Sequence, residues 1–404
     1  MMIINEKLTV NGRTVNNRIV FQPMEGCDGT ADGNIGELTE RRYMRFAESG
    51  AGIIWFEATA VCKEGRANPR QLYLTEENMD TYKKLLQNMR SAALEKFGYA
   101  PLIILQMTHS GRYSKPKGIP EPIVAYRNEA FEKGKEDLPY HMITDEECDA
   151  LPEQFAHTAQ LAWQAGFDGV DIKCCHGYLF DEFLSAYNRT GTYGGSFENR
   201  TRLYFNCIDA VKKALSDKMI ITTRLSAYDG FPYPFGFGTS PHKEIDLTET
   251  ERILSGLQKR QIELVNITIG NPYLIPHINR PFINGPEDGE TGVQRAVNIT
   301  GELQKKFPQL KLILSALSFK GADAVDFAEK CLEKGQCSLA GFGRMTFAYP
   351  DFYCDFLKNG ELDNSKLCIK CGNCSKMMRA GGVAGCPVRD KEVYLPLYKK
   401  YIGV

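Results

Sequence analysis

The sequence predicts an α/β fold, a (β/α)8 barrel with an N-terminal hairpin and a C-terminal cysteine-rich extension. Eight short apolar runs of strand length alternate with helically spaced segments over about 350 residues, which suits that barrel. Polar side chains crowd the exits of several of these runs, where α/β folds place their ligands. The competing arrangement, a doubly wound sheet, would announce a dinucleotide site by a glycine fingerprint after an early strand. The nearest candidate, Gly50-Ala51-Gly52, precedes a strand and has the wrong spacing.

Taken in order, residues 8–15 form a hairpin around Asn11-Gly12. Strands are expected at 18–21, 52–56, 102–106, 169–172, 219–224, 264–268, 312–315 and 338–342. Helices are expected at 38–47, 78–94, 151–165, 198–215, 247–257, 292–303 and 322–332. Thr75 with Asn78, and Ser196 with Asn199, are polar helix starts. Two long insertions follow strands, at 108–148 and 228–244, and both are expected over the catalytic face. The aromatic density of the second, YDGFPYPFGFGTSPH, marks it as a ligand wall rather than an ordinary loop. The division expected is a barrel over 1–350 and an extension over 351–404.

A chain of 404 residues that is 43% hydrophobic and 25% charged can bury a large core. Its formal charge of -1 gives no reason to expect nucleic acid or an anionic membrane as a partner. No apolar run reaches transmembrane length, and MMIINEKLTVNG lacks the plan of a signal peptide, so a cytoplasmic location is expected. Thirteen cysteines, an odd number, argue against a framework of paired disulfides.

The chemistry concentrates in 168–200, DGVDIKCCHGYLFDEFLSAYNRTGTYGGSFENR. Tyr178 is the candidate acid, because a phenol stays protonated at neutral pH and surrenders its proton only to a strongly basic centre. Lys173 and His176, three residues apart, can donate hydrogen bonds to one substrate oxygen, with Asp171 placed to orient Lys173. Structural alternatives stand beside each: core packing for Tyr178, a satisfied imidazole for His176, a solvated or paired charge for Lys173. Other strand exits carry Gln22-Pro23-Met24-Glu25, Glu57-Ala58-Thr59, Gln106 with His109 and Arg112 beyond it, and Arg224. A Gln amide offers both donor and acceptor to a planar ring, and a guanidinium beside such a ring stabilises negative charge on reduction. Small residues and a cation at 339–344, LAGFGR, suit a phosphate.

The segment DIKCCHGYLFDEFLSAYNRTGTYGGSFENRTR resembles the signature of the old yellow enzyme family. Its branch with bacterial 2,4-dienoyl-CoA reductases and trimethylamine dehydrogenase is the most similar. NRIVFQPM at 17–24, QMTHSGR at 106–112 and GFGR at 341–344 resemble that family's flavin-site motifs, in the expected order. The resemblance implies a (β/α)8 barrel with FMN, bound non-covalently except in amine dehydrogenases. It implies Pro23, Met24, Ala58, Gln106 and Arg224 around the isoalloxazine, and Gly343 and Arg344 at the phosphate. Tyr178 matches the family's proton-donor tyrosine and His176 the second member of its carbonyl-gripping pair. Lys173 stands where the family usually has His. Glu25 replaces a small or hydroxyl residue near the flavin, where a carboxylate disfavours the anionic reduced ring unless it is protonated or turned away.

Cys368, Cys371, Cys374 and Cys386 follow a C-x2-C-x2-C-x11-C-P pattern, much like the family's [4Fe–4S] site after the barrel. Structural zinc is the competing occupant. Cys174 and Cys175 lack ligand spacing and are expected as small buried side chains. Relatives with the cluster usually continue into flavodoxin-like and dinucleotide-binding domains, none recognisable within this sequence. Electrons are therefore expected either from NAD(P)H docked over the FMN or from a separate redox protein through the cluster. Residues 387–404, with Tyr394, Leu395, Leu397, Tyr398 and Tyr401, are expected to pack on the barrel or to join a homo-oligomer interface. The leading expectation is reduction of the activated C=C bond of an α,β-unsaturated carbonyl or enoyl thioester. The rivals are oxidative dealkylation of an amine and a barrel hydrolase or lyase stapled by zinc, for which the six histidines offer no metal cluster.

Overall fold

A computed structural model describes residues 2–132, 134 and 138–403. Eight parallel strands close into a barrel: β1 Ile19–Phe21, β2 Ile53–Ala60, β3 Leu102–Thr108, β4 Gly169–Ile172, β5 Ile220–Ser226, β6 Leu264–Thr268, β7 Lys311–Leu314 and β8 Leu339–Phe342. Each pairs with its neighbours in sequence, and β8 returns to β1. The outer ring comprises α1 Glu37–Ala47, α2 Met79–Phe97, α3 Asp145–Ala165, α4 Phe197–Leu215, α5 Thr248–Lys259, α6 Gly289–Lys306, α7 Ala324–Glu333 and α8 Phe352–Asn359. All eight expected strands are present, which makes this the (β/α)8 barrel the sequence predicts.

The expected hairpin, Leu8–Val10 with Arg13–Val15, closes one end of the barrel. Its Val10 and Val15 join Val20, Ile53, Trp55 and Ile104 in a separate apolar plug. The main core lies between strands and helices, where Phe352 of α8 stacks on Phe21 of β1 at 5.6 Å. That plug and shell leave the opposite end, at the strand exits, free to carry chemistry. In-register pairing aligns those exits: Gln106 lies opposite Asp171, and Arg224 opposite Asn266.

The two boundaries furthest from expectation are the start of α3 and the end of β2. Helix α3 starts at Asp145 rather than 151, because Thr144 and Glu147 form a reciprocal capping box ahead of Pro152, on turns too polar to show an apolar stripe. Strand β2 runs on to Ala60, with a register shift between Phe56 and Thr59 that re-aims the chain around Ala58. Ser196 does cap α4, accepting from the Asn199 N–H at 3.3 Å. Asn78 instead accepts from the Thr75 N–H, tightening the turn before α2.

The insertion at 108–148, apart from 133 and 135–137 that lie outside the described residues, forms a small parallel pair, Ile123–Val124 with His141–Met142. The second insertion is not the ligand wall its composition promised. Phe231 packs on Phe131 at 4.8 Å, Tyr233 on Tyr187 at 4.9 Å, and Asn128 donates to the Phe235 carbonyl. Its aromatics hold it to the first insertion and to Tyr187, and none of them lines the cavity described below.

After α8 come helices α9 Asn373–Arg379 and α10 Lys391–Ile402. Tyr394, Leu397, Tyr398 and Tyr401 pack with Met377, Val383 and Leu38 of α1, so this end of the chain folds back on the barrel. Arg41 and Arg45 of α1 pair with Asp390, and Ala384 N–H donates to the Gly26 carbonyl at 2.7 Å. Among the described residues no helix is long and apolar enough to cross a membrane.

Candidate active site

A cavity opens at the strand exits. Pro23, Met24, Glu25, Ala58, Gln106, Lys173, His176, Tyr178, Arg224, Gly343 and Arg344 all line it, so every catalytic and cofactor candidate converges on one space. His109 and Arg112 do not. His109 accepts from the Gly111 N–H, and Arg112 pairs with Glu182.

Its floor is organised by Asp171. This buried carboxylate accepts from Gln106 Nε2 at 2.6 Å, Trp55 Nε1 at 2.8 Å and the Arg224 N–H at 2.7 Å. Burial nevertheless lifts its pKa to about 6. Asp171 therefore orients Gln106, which corrects the expectation that it orients Lys173. Arg224 is only 8% exposed, and its Nε has no hydrogen-bond partner among the described residues. A buried cation facing a cavity without an acceptor is costly unless a ligand satisfies it.

The exit of β4 supplies the reactive groups. His176 and Gly177 both take left-handed backbone, at φ +69° and +73°, turning the chain sharply back over the cavity. A Cβ on Gly177 would come within 2.5 Å of Asn271 Nδ2, which donates to the His176 carbonyl, so the turn requires glycine. Asn279 Nδ2 donates to Thr268 Oγ1 and to the Ile269 carbonyl, and both Asn279 and Thr268 face His176 Nε2, at 3.0 and 3.2 Å. With both Asn279 amide hydrogens on Thr268 and Ile269, the Thr268 hydroxyl is free to donate to Nε2, the arrangement that puts the ring proton on Nδ1. Burial, then Arg224 and Lys173, push the His176 pKa far down and keep the ring neutral.

Tyr178 is 1% exposed, with its hydroxyl 2.8 Å from that of Tyr273. The Lys173 ammonium lies over the Tyr178 ring, 3.3 Å from its centroid, and burial lowers its pKa. Tyr273 in turn stacks on Tyr113 at 4.0 Å. Tyr273, Asn279 and Arg280 come from one loop after β6, NPYLIPHINR. Sequence reasoning passed it over although its Tyr and Arg follow a strand exit.

At the other end, Arg280 and Arg344 line the cavity together with Arg379. Burial and then the charges of Arg379 and Arg344 lower the Arg280 pKa to about 10. Arg280 binds Ser375 and Arg344 the Pro281 carbonyl, so no carboxylate neutralises the group through these contacts. Ser318 Oγ accepts from the Gly343 and Met345 N–H groups. Clustered cations beside small residues fit a phosphate, and an acceptor-rich ring fits Gln106 and Arg224, so the residues present suit FMN. Gly341 keeps this wall open. A Cβ there would strike Gln22 Nε2 and come within 2.9 Å of the Leu314 carbonyl. Gly341→Ala is expected to cost about 1–3 kcal/mol by overpacking, read as a lowered thermal midpoint.

Cys374 reaches the cavity rim, Cys371 is exposed, and Cys368 and Cys386 are part-buried. Cys368 senses the charges of Cys371 and Cys374, and Cys386 those of Cys368 and Cys374, so the four thiols gather. Among the described residues no three His, Cys, Asp or Glu side chains make up a site for a metal ion as they stand. Cys174 and Cys175 are fully buried.

The family model described as "NADH:flavin oxidoreductase / NADH oxidase family" matches residues 5–361. The chain belongs to this family. The family is described as one of flavin oxidoreductases, and the residues lining the cavity suit FMN. The chain is 30% identical over 281 residues to a NADH:flavin oxidoreductase of Gibberella zeae, covering 65% of this chain and 66% of that protein. It is 30% identical over 272 residues to an NADPH dehydrogenase of Clostridium acetobutylicum, covering 67% and 74%. An old yellow enzyme homologue from Zymomonas mobilis has the same fold, with a TM-score of 0.68 at 22% identity over 90% of this chain and 94% of that one. A 2-naphthoyl-CoA reductase complex superposes over 99% of this chain, with a TM-score of 0.78 at 19% identity. The chain spans just under two thirds of the Gibberella protein and 58% of the naphthoyl-CoA reductase.

Proposed function

We propose that this family member reduces the activated C=C bond of an α,β-unsaturated carbonyl or enoyl thioester. The supporting observation is one cavity in which a neutral imidazole, an ammonium and a phenol face the same space as Gln106 and Arg224. FMN, when bound, supplies the hydride. Gln106 and Arg224 would hold its ring, with Pro23, Met24 and Ala58 around it, and Gly343, Arg344 and Arg280 would hold its phosphate.

His176 donates its Nδ1 proton as a hydrogen bond to the substrate carbonyl oxygen, and Lys173 adds positive charge beside it. Together they stabilise the negative charge that grows on that oxygen. The Tyr178 and Tyr273 hydroxyls share one hydrogen bond, and with Tyr273 donating, the Tyr178 proton is free for Cα. A [4Fe–4S] cluster on Cys368, Cys371, Cys374 and Cys386 fits the spacing and the gathering of the thiols, since a cubic cluster spaces its ligands more widely than one ion does. Such a cluster would take electrons from a separate redox protein, while NAD(P)H in the cavity is the other donor in play.

The test is an anaerobic visible spectrum with iron and acid-labile sulphide assays, then reoxidation of dithionite-reduced enzyme. Enones and enoyl thioesters should reoxidise it, iron and sulphide should be equal, and yellow colour should leave the denatured protein. Turnover of methylated amines with colour retained would replace this reading by amine oxidation.

A further inference from the structure

We propose that Glu25 is a proton store that recharges Tyr178, fed by water from a second groove behind it. The inference rests on the reductase reading, because a phenol that protonates carbon must regain its proton each cycle. Tyr178 has little direct access to bulk water, being 1% exposed.

Glu25 stands at a junction. It lines the catalytic cavity and also a separate groove of about 1180 Å³, open to solvent between Asn68, Lys115 and Gly381. Asn68 Nδ2 donates to Glu25 Oε1 at 2.9 Å, so a carboxyl proton belongs on Oε2. Tyr178 and Glu25 line the same cavity, close enough for the hydroxyl to favour the ionised carboxyl, and the Glu25 charge acts in turn on Tyr178 and Tyr273. Burial raises the Glu25 pKa, opposed chiefly by Lys173. Asn68, Cys27 and Tyr178 favour the ionised form more weakly. Glu57 feels the Glu25 charge from β2, and Arg70 and Arg379 stand along the groove. A protonated Glu25 also removes the conflict between a carboxylate and an electron-rich ring nearby.

The other neighbours are poorer sources. The Tyr273 hydroxyl is in contact, yet it is a phenol whose pKa is itself raised, so it cannot reprotonate another phenol effectively. The Lys173 ammonium points at the face of the Tyr178 ring rather than at its oxygen. The cycle then balances. Tyr178 gives H⁺ to Cα, whose partner carbon has received hydride, the phenolate takes H⁺ from the Glu25 carboxyl, and water in the groove restores the carboxyl.

The experiment follows repeated turnover of 2-cyclohexen-1-one in stopped flow, with excess dithionite keeping the holoenzyme reduced, and ferricyanide is tested on reduced enzyme freed of dithionite. Glu25→Gln and Glu25→Ala should slow it at least tenfold. In Glu25→Ala, formate or acetate should restore the rate in proportion to the undissociated acid, so rescue fades as pH rises. An unchanged rate, no rescue, or an equal loss with ferricyanide, which needs no protonation of carbon, would overturn the relay. A wild-type enzyme inert to every enone would end the reductase reading instead. The store would then be judged by infrared difference spectroscopy. A protonated carboxyl band at pH 7, present in wild type and absent from Glu25→Gln, upholds it, and its absence overturns it.

Discussion

Tyr178→Phe should still accept electrons into the flavin but reduce an enone about 10²–10⁴ times more slowly, the usual cost of losing a positioned general acid. The ring stays in place, since it is fixed by the Lys173 ammonium on its face and by Tyr113 at 5.6 Å. Only the hydroxyl goes, leaving the Tyr273 hydroxyl without that partner at a cost of about 1 kcal/mol. Rapid mixing of oxidised variant with donor, and of reduced variant with enone, separates the two halves. Comparable losses in both would remove Tyr178 from the acid's role and return it to packing. Tyr273, whose hydroxyl meets that of Tyr178, is the phenol best placed to substitute among the described residues, so Tyr178→Phe with Tyr273→Phe should be slower still.

Much of this site was legible because strand exits carry chemistry on a barrel, and short apolar runs mark the strands. Gln106, Arg224 and the 173–178 run each sit within a few residues of such a run, so linear position predicted convergence. What failed did so for physical reasons. The 228–244 loop advertised a wall through its aromatics, but aromatics pack on one another as readily as on a ligand, and Phe131 and Tyr187 were unforeseeable partners. Asp171 looked like the partner of Lys173 because the two are close in sequence. Alternation along a strand sends Asp171 into the barrel, where it meets Gln106 and Trp55 from other strands. Tyr273 and Asn279 act through contacts with residues about a hundred positions away, which no local pattern encodes.

Arg42→Met should be the most destabilising single change near the site, at about 3–5 kcal/mol, because it strips the partner from buried carboxylates. Arg42 is 4% exposed and bridges Asp28 and Glu57 beneath the loop that carries Glu25. Glu57 Oε2 accepts from the Gly26 N–H at 2.7 Å, so this triad fixes the end of β1 and, through the Gly26 carbonyl, the tail at Ala384. Burial raises the Glu57 pKa to about 7 even with Arg42 opposing it. A carboxyl raised on folding binds more protons in the native state, so its contribution falls as pH climbs from 4.5 through 7. Removing Arg42 raises Glu57 further and steepens that fall. Denaturant melts should therefore show a larger gap between variant and wild type at pH 8 than at pH 5. A gap that does not change with pH would mean the lost stability comes from packing around the methionine rather than from an orphaned charge.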